Sequence, residues 1–152
     1  MAFLSSLNIN GSALTAERLR MDVISDNIAN ATTTRTEKGG PYRRKVVVFQ
    51  SANQSQPSFR HIVEKKMSTQ SANNLQNGGV KVAQVAEDPS DFTPVYDPTN
   101  PDANDQGYVM MPNVDPVKET LDLMSATRSY DMNLTAFNAI KQMASKTLEM
   151  GR

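Results

Sequence analysis

Between Val117 and Met150 the chain has neither glycine nor proline, and no other feature limits its possible folds as strongly. Asp115 is suited to the N-cap of a helix, Pro116 to its first position, and Gly151 to its end. A helix of about 34 residues is roughly three times the average length in globular proteins. Such a length without an internal break favours a coiled coil or a helical layer in an assembly.

One seam of this helix consists of residues that step by four and three: Leu123, Thr127, Tyr130, Leu134, Phe137, Lys141, Ala144 and Leu148. Such steps place side chains on one face and are typical of a heptad repeat. The seam has two polar members, Thr127 and Lys141, and Ile140 adds apolar surface beside it. We therefore predict a coiled-coil helix in the C-terminal segment.

The N-terminal segment 3–30 contains no proline and a single glycine, and it predicts a second long helix. Two apolar series repeat every seven residues along it: Leu7, Leu14, Met21 and Ile28 in the first, and Ile9, Ala16 and Val23 in the second. Two residues span about 200° around a helix, so the two series lie on nearly opposite sides. A helix against one core shows one apolar face, and two faces predict neighbours on both sides.

The centre of the chain predicts short strands, because the Gly-Gly-Pro sequence at 39–41 ends any helix there. Residues 42–50 are rich in β-branched and aromatic residues and predict one strand. Alternating valines over 80–85 predict another.

The rest of the centre is less regular. Residues 59–67 are compatible with a third strand, and the polar residues 51–58 and 68–77 on either side of it predict loops. Residues 88–107 hold four prolines and predict an extended, turn-rich segment. Three short strands are enough for only a small β domain.

Together these patterns predict an α+β fold. Two long heptad-patterned terminal helices pack as an antiparallel coiled-coil pair, and a small β-rich domain is inserted between them. The predicted parts are an N-terminal helical arm over 1–32, a β-rich and extended domain over 33–114, and a C-terminal helical arm over 115–152.

Composition excludes several classes of protein. The chain has no cysteine and one histidine, so it forms neither disulfides nor thiolate or multi-histidine metal sites. Its formal net charge of zero argues against nucleic acid as a partner. No apolar run approaches the roughly 20 residues that cross a bilayer, and the first 20 residues lack the pattern of a cleaved secretory signal. We predict no membrane insertion.

No residue pattern predicts an active site or a cofactor. The single histidine, His61, has no nucleophile motif beside it and is expected on a strand face. Residues 102–107 resemble half of a calcium loop, but its twelfth position is Asn113 instead of a glutamate, and turn chemistry explains the segment better. The basic run 43–45 lacks interleaved aromatic residues, which favours a solvated face or an acidic protein partner. The prediction is a protein that is not an enzyme.

The zero net charge conceals a split along the chain. Residues 38–66 carry seven Lys and Arg residues and one Glu, whereas residues 67–115 carry one Lys and seven acidic residues. The two terminal arms are nearly neutral. This asymmetry predicts that the basic half of one subunit contacts the acidic half of the next.

Four segments resemble one known family. Residues 25–32, SDNIANAT, resemble the S-x-N-[LI]-A-N-A-x motif of the flagellar axial proteins, which form rod, hook and hook junction. Residues 124–133 are similar to the M-x-x-A-x-R-x-Y-x-x-N motif near the C-termini of that family. Residues 95–114 resemble the block V-Y-D-P…G-Y-V-x-x-P-N-V of its proximal-rod members, and 40–49 resemble their G-x-P-Y strand. The resemblance covers the chain except 51–77.

This resemblance implies a structural subunit of the proximal rod of the bacterial flagellar basal body. In the family the terminal helices form an inner tube, which carries motor torque across the periplasm, and the β-rich domain packs outside it. The implied partners are copies of the chain, other proximal and distal rod subunits, and the adaptor at the MS ring. The flagellar type III export apparatus would be a partner in transit, without a cleaved signal peptide.

The apolar series and the family motifs together predict the assembly interface. Its candidate residues are Leu7, Leu14, Met21, Asn27, Ile28, Asn30, Leu123, Arg128, Tyr130, Asn133, Leu134, Phe137, Ile140 and Leu148. Arg128 and Asp131 are three residues apart on one helix face and are able to pair. The alternative interpretation keeps the architecture but makes the chain a dimeric coiled-coil adaptor or chaperone.

Overall fold

The computed structural model describes residues 2–37, 39–52 and 78–151. Two long helices, α1 (Ala2–Ala29) and α2 (Pro116–Met150), enclose four strands in the sequence. Both helices were predicted. The N-cap of α2 is Asp115, whose carboxylate accepts a hydrogen bond of 3.0 Å from the backbone N–H of Val117, and proline occupies the first turn. This start is the predicted one.

The two helices pack against each other in opposite directions. Asn27, near the end of α1, contacts Glu119 in the first turn of α2. Met21, six residues earlier in α1, lies with its sulfur 3.7 Å from Oγ1 of Thr127, eight residues later in α2. Because α2 is seven residues longer, its last turns extend about 10 Å beyond α1.

The inward face of α2 coincides with the predicted seam only in part. The positions turned inward are buried or half-buried: Glu119, Leu123, Ala126, Tyr130, Asn133, Phe137, Ile140 and Ala144. The other half of the predicted seam is exposed in the subunit: Thr127, Leu134, Lys141 and Leu148. The polar members of the predicted seam are thus exposed: Ala126 is fully buried, whereas Thr127 reaches Met21 of α1 from the edge of the helix contact.

The four strands form two small antiparallel sheets. Strand β1 (Lys45–Ser51) pairs with β2 (Val80–Glu87), with Lys45 opposite Glu87 and a bulge between Val48 and Phe49. Strand β3 (Thr93–Tyr96) pairs with β4 (Tyr108–Met111).

The structure confirms some of the predictions for the segment between the helices and not others. The strands predicted over 42–50 and 80–85 are present as β1 and β2, with shifted ends. The segment 88–107 was expected to be extended and turn-rich without strands, yet it contains β3. Of the loop predicted over 51–58, Ser51 belongs to β1, and residues 53–58 lie outside the described residues. The possible strand over 59–67, the loop over 68–77 and His61 also lie outside them.

The apolar core of the described residues is small. Its buried members are Ala16, Ile24, Tyr42, Val109 and Ala126. Helix α1 contacts α2 as well as β1 and β2, so it has neighbours on two sides. Within the described part of the chain, neither helix is apolar enough over a sufficient length to cross a membrane.

Candidate functional site

The most deeply buried polar groups of the described chain meet where α1, β1 and α2 come together. We call this cluster the polar junction and define it by five residues: Asn27, Tyr42, Arg44, Asn113 and Glu119. They come from the end of α1, the segment entering β1, the segment after β4 and the first turn of α2. The side chains with the least exposure are Asn27, 1% exposed, and Glu119, 0% exposed.

Asn27 occupies the centre of the junction. Its Nδ2 donates one hydrogen bond to the carbonyl oxygen of Lys45 and one to Oε2 of Glu119, both 2.9 Å long. Its Oδ1 accepts hydrogen bonds of 3.0 Å from the Tyr42 hydroxyl and from the backbone N–H of Lys45. Two donors and two acceptor positions are the full capacity of a side-chain amide. One residue thereby connects α1, β1 and α2.

Glu119 is a fully buried carboxylate with two partners. It follows the N-cap by one helical turn, which points it inward towards α1. Nε of Arg44 donates to its Oε1 at 2.6 Å, and Asn27 donates to its Oε2. A buried carboxylate is tolerated only when it is paired and hydrogen-bonded. These two partners supply that compensation.

Arg44 extends the junction to two further carboxylates. Its terminal nitrogens lie 3.5 Å from Oδ2 of Asp88 and 3.3 Å from Oδ2 of Asp122. Burial lowers the pKa of Arg44, but the hydrogen bonds to Glu119 and Asp88 and the negative charges of Glu119 and Asp122 together outweigh it, and the net pKa is raised. The guanidinium therefore stays charged wherever the protein is folded, and it holds three acidic side chains together.

Asn113 fixes the link between the two sheets. Its Oδ1 accepts a hydrogen bond of 2.8 Å from the backbone N–H of Arg44, and its Nδ2 donates to the carbonyl oxygens of Asp88 and Ser90. Arg43 donates to the same two carbonyls, and its guanidinium carbon lies 4.5 Å above the ring of Phe92. The segment between β2 and β3 is thereby held against the start of β1.

Asp88 carries a lowered pKa. Hydrogen bonds from the hydroxyl and backbone N–H of Ser90 are the main cause, and the Arg44 guanidinium adds to it. The contribution of Asp88 to stability is therefore present above the ordinary aspartate range and is lost as the pH falls through its lowered pKa.

The junction has the chemistry of a structural contact. Its carboxylate is held by an arginine and an amide, and no residue of the junction offers a nucleophile beside a general base. Within the described ranges, no three His, Asp or Glu side chains are grouped to hold a metal ion. In the half calcium loop, Oδ1 of Asn104 accepts hydrogen bonds from the N–H groups of Gln106 and Tyr108, which is the chemistry of a turn.

Tyr42 makes the junction sensitive to alkaline pH. Burial raises its pKa above the ordinary 10.0, and its neutral hydroxyl donates to Asn27. Because the folded pKa is raised, this contribution to stability is complete below pH 10.0 and is lost as the pH rises through the folded pKa. We expect the free energy of unfolding, measured in urea by circular dichroism, to fall above that pH, and Tyr42→Phe to reduce the fall. Tyr96→Phe, at an exposed ring, is the control and should leave the fall intact.

The structure places the predicted interface residues in three environments. Asn27 is buried in the junction. The half-buried residues are Leu7, Leu14, Met21, Ile28, Asn30, Leu123, Tyr130, Asn133, Phe137 and Ile140. Arg128, Leu134 and Leu148 are exposed.

The local bonding of two candidates, Asn30 and Arg128, is visible in the structure. Nδ2 of Asn30 donates a hydrogen bond of 2.9 Å to the carbonyl oxygen of Asp26, which also accepts one of 3.1 Å from the backbone N–H of Asn30. Arg128 and Asp131 are within reach of each other on the helix, but no ion pair joins these two exposed residues of the described chain. An exposed pair gains too little to order two long side chains.

Four junction residues were not predicted: Tyr42, Arg44, Asn113 and Glu119. One signal was available for Glu119, because it occupies the same seven-residue series as Ala126, Asn133 and Ile140. That series faces α1, so the carboxylate of Glu119 points inward. A carboxylate buried there needs a cation beside it. Nothing in the sequence indicated a role for Arg44 beyond its place in the middle of the basic run 43–45.

Two family models match the chain where its helices lie. The model described as "Flagella basal body rod protein" matches residues 7–35, and the one described as "Flagellar basal body rod FlgEFG protein C-terminal" matches residues 105–150. The class that these matches define is that of flagellar basal-body rod proteins. The matched ranges include Asn27, Asn113 and Glu119 of the polar junction.

Relatives match over the full length of the chain. A protein of Bacillus subtilis named "Flagellar basal-body rod protein FlgC" is 53% identical, with 100% of both chains covered. Proteins of the same name are 42% identical in Escherichia coli, over 100% of both chains, and 41% identical in Borreliella burgdorferi, over 94% of this chain and 93% of the relative. The chain belongs to the FlgC family of flagellar basal-body rod proteins. It is a structural component of the basal body that assembles with other rod components, and it is not an enzyme.

Proposed function

We propose that this rod subunit assembles through its terminal helices into the tube that transmits motor torque, with the polar junction holding the two helices in one relative position. The inner layer consists of the arms 1–32 and 115–152, and 33–114 form the outer layer. The observation that carries this proposal is a long apolar surface on α2 that α1 does not cover.

That surface, which we call the outward stripe, contains Val117, Leu121, Met124, Met132, Met143 and Met150. Each of these side chains is at least half exposed, and Leu121 and Met132 are 61% and 66% exposed. Leu121, Met132 and Met143 are spaced by eleven residues, which is three turns of a nearly straight helix. A chain that exposes so much apolar surface along one line is suited to burying it against neighbours.

The inward face has a different period. Glu119, Ala126, Asn133 and Ile140 recur every seven residues and face α1. A period of seven suits an antiparallel coiled-coil pair within the subunit, whereas the outward stripe suits packing between subunits. The candidates Leu134 and Leu148, exposed on α2, extend the surface that the neighbours would cover.

Location and partners follow from membership of the rod. We propose that the assembled chain spans the periplasm in the basal body and contacts other proximal and distal rod subunits, the adaptor at the MS ring, and copies of itself. Passage as an unfolded chain through the flagellar type III export apparatus suits a chain without disulfides and with a small described core.

The double substitution Leu121→Glu with Met132→Glu tests the proposal. Both positions are exposed in the subunit, so the fold is expected to persist, whereas in the rod two unpaired charges would be buried. We expect export to continue, and incorporation into isolated basal bodies to fall at least about tenfold, which corresponds to 1.4 kcal/mol. Immunoblotting of basal bodies and swimming in soft agar are the measurements.

The matched control is Asn138→Glu with Ser145→Glu, which adds the same two charges to another exposed side of α2. This control should assemble and swim. Equal loss in both variants would indicate a general effect of charge on the helix, and unchanged assembly of the Leu121 and Met132 variant would contradict the proposal.

A further inference from the structure

The outer face of the second sheet is an exposed aromatic surface that the terminal helices do not use. We call it the tyrosine platform and define it by two cross-strand pairs, Pro94 with Met110 and Tyr96 with Tyr108. All four residues are exposed, and Tyr96 is 64% exposed. On the opposite face Val109 is 2% exposed and its partner Val95 is 44% exposed, so the subunit covers that face in part, through β4.

The platform has two rings in contact and an acidic border. The rings of Tyr96 and Tyr108 are edge to face, with centroids 5.3 Å apart. Gly107, with φ of 78°, lets the Tyr96 ring lie over the turn, since an added Cβ would come 2.9 Å from that ring. Asp97 and Asp105 lie in the connecting loop at the same end of the hairpin. Ordered tyrosines bordered by charge are typical of strong contact sites between proteins.

A second surface of the same chain has the complementary chemistry. A groove of about 570 Å³ lies between the middle of α1 and the start of β2. Its apolar lining consists of Ala16, Leu19, Val80 and Val82. Arg18 and Lys81 add two positive charges and Asp22 one negative charge, so the groove has an excess of one positive charge. We call it the basic groove.

The groove is anchored at one end. The Ser12 hydroxyl accepts a hydrogen bond of 3.1 Å from the backbone N–H of Val80 and donates 2.7 Å to the carbonyl oxygen of Ile9. The absence of a side chain at Gly79 permits this approach, because an added Cβ would lie 2.6 Å from Oγ of Ser12. The strand is thus fixed on the helix and the groove is preformed.

The two surfaces lie too far apart along α1 to meet within one chain. The loop between β3 and β4 contacts the chain just beyond the end of α1. There the hydroxyl of Thr34 donates a hydrogen bond of 2.8 Å to the carboxylate of Asp102. The groove lies near Ala16, thirteen residues before the end of α1, which is about 20 Å along the helix axis. A second copy displaced along that axis can bring its platform to the groove.

We propose that the tyrosine platform of one copy docks in the basic groove of the next. The apolar surfaces match, and Asp97 and Asp105 face Arg18 and Lys81. The contact is head to tail, so each copy keeps one platform and one groove available for further copies, as an open helical assembly requires. The inference rests on the proposed function, and it adds a contact between the outer domain and a neighbour's α1.

Cysteine cross-linking in basal bodies tests this contact, and the chain itself contributes no background because it has no cysteine. Cells that produce Met110→Cys together with Val82→Cys, as two separate chains, should yield a disulfide-linked dimer on oxidation. A chain with both substitutions should yield a ladder of higher oligomers. Ala83→Cys is the control for Val82→Cys, since Ala83 is exposed and is not part of the lining of the groove.

Charge substitutions sharpen the test. Arg18→Glu with Lys81→Glu should lower the yield of dimer at least about tenfold, because like charges then meet. Adding Asp105→Lys on the partner chain should restore part of it. A link to a different rod protein instead of a second copy would overturn the proposal.

The outcomes separate the inference from the proposed function. If the cysteine variants are incorporated and motile but give no dimer, or link equally well through Ala83→Cys, the platform contact is wrong and the rod function stands. If the unmodified chain is missing from basal bodies, both are overturned.

Discussion

Glu119→Ala should lower the free energy of unfolding by about 3–5 kcal/mol, the cost of breaking a buried ion pair by removing one partner. The substitution leaves the Arg44 guanidinium without its shortest contact, which is 2.6 Å, and removes the acceptor of one Asn27 donor. Alanine has a high helix propensity, so α2 itself is not weakened. Urea unfolding followed by circular dichroism measures the change.

Two further variants test whether the loss of stability comes from the buried ion pair. Glu149→Ala makes the same substitution at an exposed position of α2 and should change stability by less than about 0.5 kcal/mol. Glu119→Gln keeps the shape but removes the charge, and it should lie between alanine and the native residue. If Glu119→Ala and Glu149→Ala were equally stable, the junction would not stabilise the fold.

The junction also explains how an apolar seam can have a single register. The inward positions Leu123, Tyr130, Phe137 and Ala144 recur every seven residues, so a shift by one heptad would exchange similar side chains. The contact between Asn27 and Glu119 exists in one register alone. A polar pair in a seam is a well-attested way to fix register. The junction therefore sets which part of α2 protrudes beyond α1.

Much of the architecture was available from the sequence because its signals are local. Both helices, the start of α2 at Asp115 and the strands β1 and β2 follow from capping, periodicity and β-branched residues. The second sheet was not predicted, since β3 and β4 have four residues each and β3 contains Pro94. Proline in a strand is tolerated at a sheet edge, and in a two-stranded sheet every strand is an edge.

It was harder to predict from the sequence which positions of α2 face α1. Two sets of positions fit steps of four and three, and they share Leu123, Tyr130, Phe137 and Ala144. Apolar content does not decide between them, because each set adds two apolar and two polar residues, and the inward set has Glu119 and Asn133 as its polar members. A buried carboxylate is favourable only beside its cation, and Arg44 is 75 residues away in sequence. Composition along one helix cannot contain that information.

The split of charge along the chain likewise did not show the partners of individual residues. The basic run 43–45 was expected to contact the acidic half of a neighbouring subunit. In the structure these residues already have partners within the chain: Arg44 pairs with Asp88 and Glu119, Lys45 with Asp26, and Arg43 with backbone carbonyls. The contact with a neighbouring subunit stays a prediction. Totals of charge indicate complementary partners but do not say whether the partner is another chain.

The second large effect is expected for Asn27→Asp, which changes one atom of the junction. Nδ2 of Asn27 donates to Oε2 of Glu119 and to the carbonyl of Lys45, both at 2.9 Å, so a carboxylate there would place an oxygen against two acceptors. We expect a loss of about 3–5 kcal/mol at pH 7, the range for an uncompensated buried charge.

The pH dependence of Asn27→Asp distinguishes this cause from a general loss of packing. Beside Glu119 in a buried site, the introduced carboxyl should have a raised pKa, since two neighbouring carboxylates resist ionising together. A raised folded pKa means that stability is lost as the pH rises, so urea unfolding should show the variant recovering towards pH 5. Asn8→Asp, at an exposed position of α1, should match the native protein throughout. A deficit of Asn27→Asp that is the same at pH 5 and pH 7 would contradict the assigned contact with Glu119, because only a shared proton can relieve two facing carboxylates.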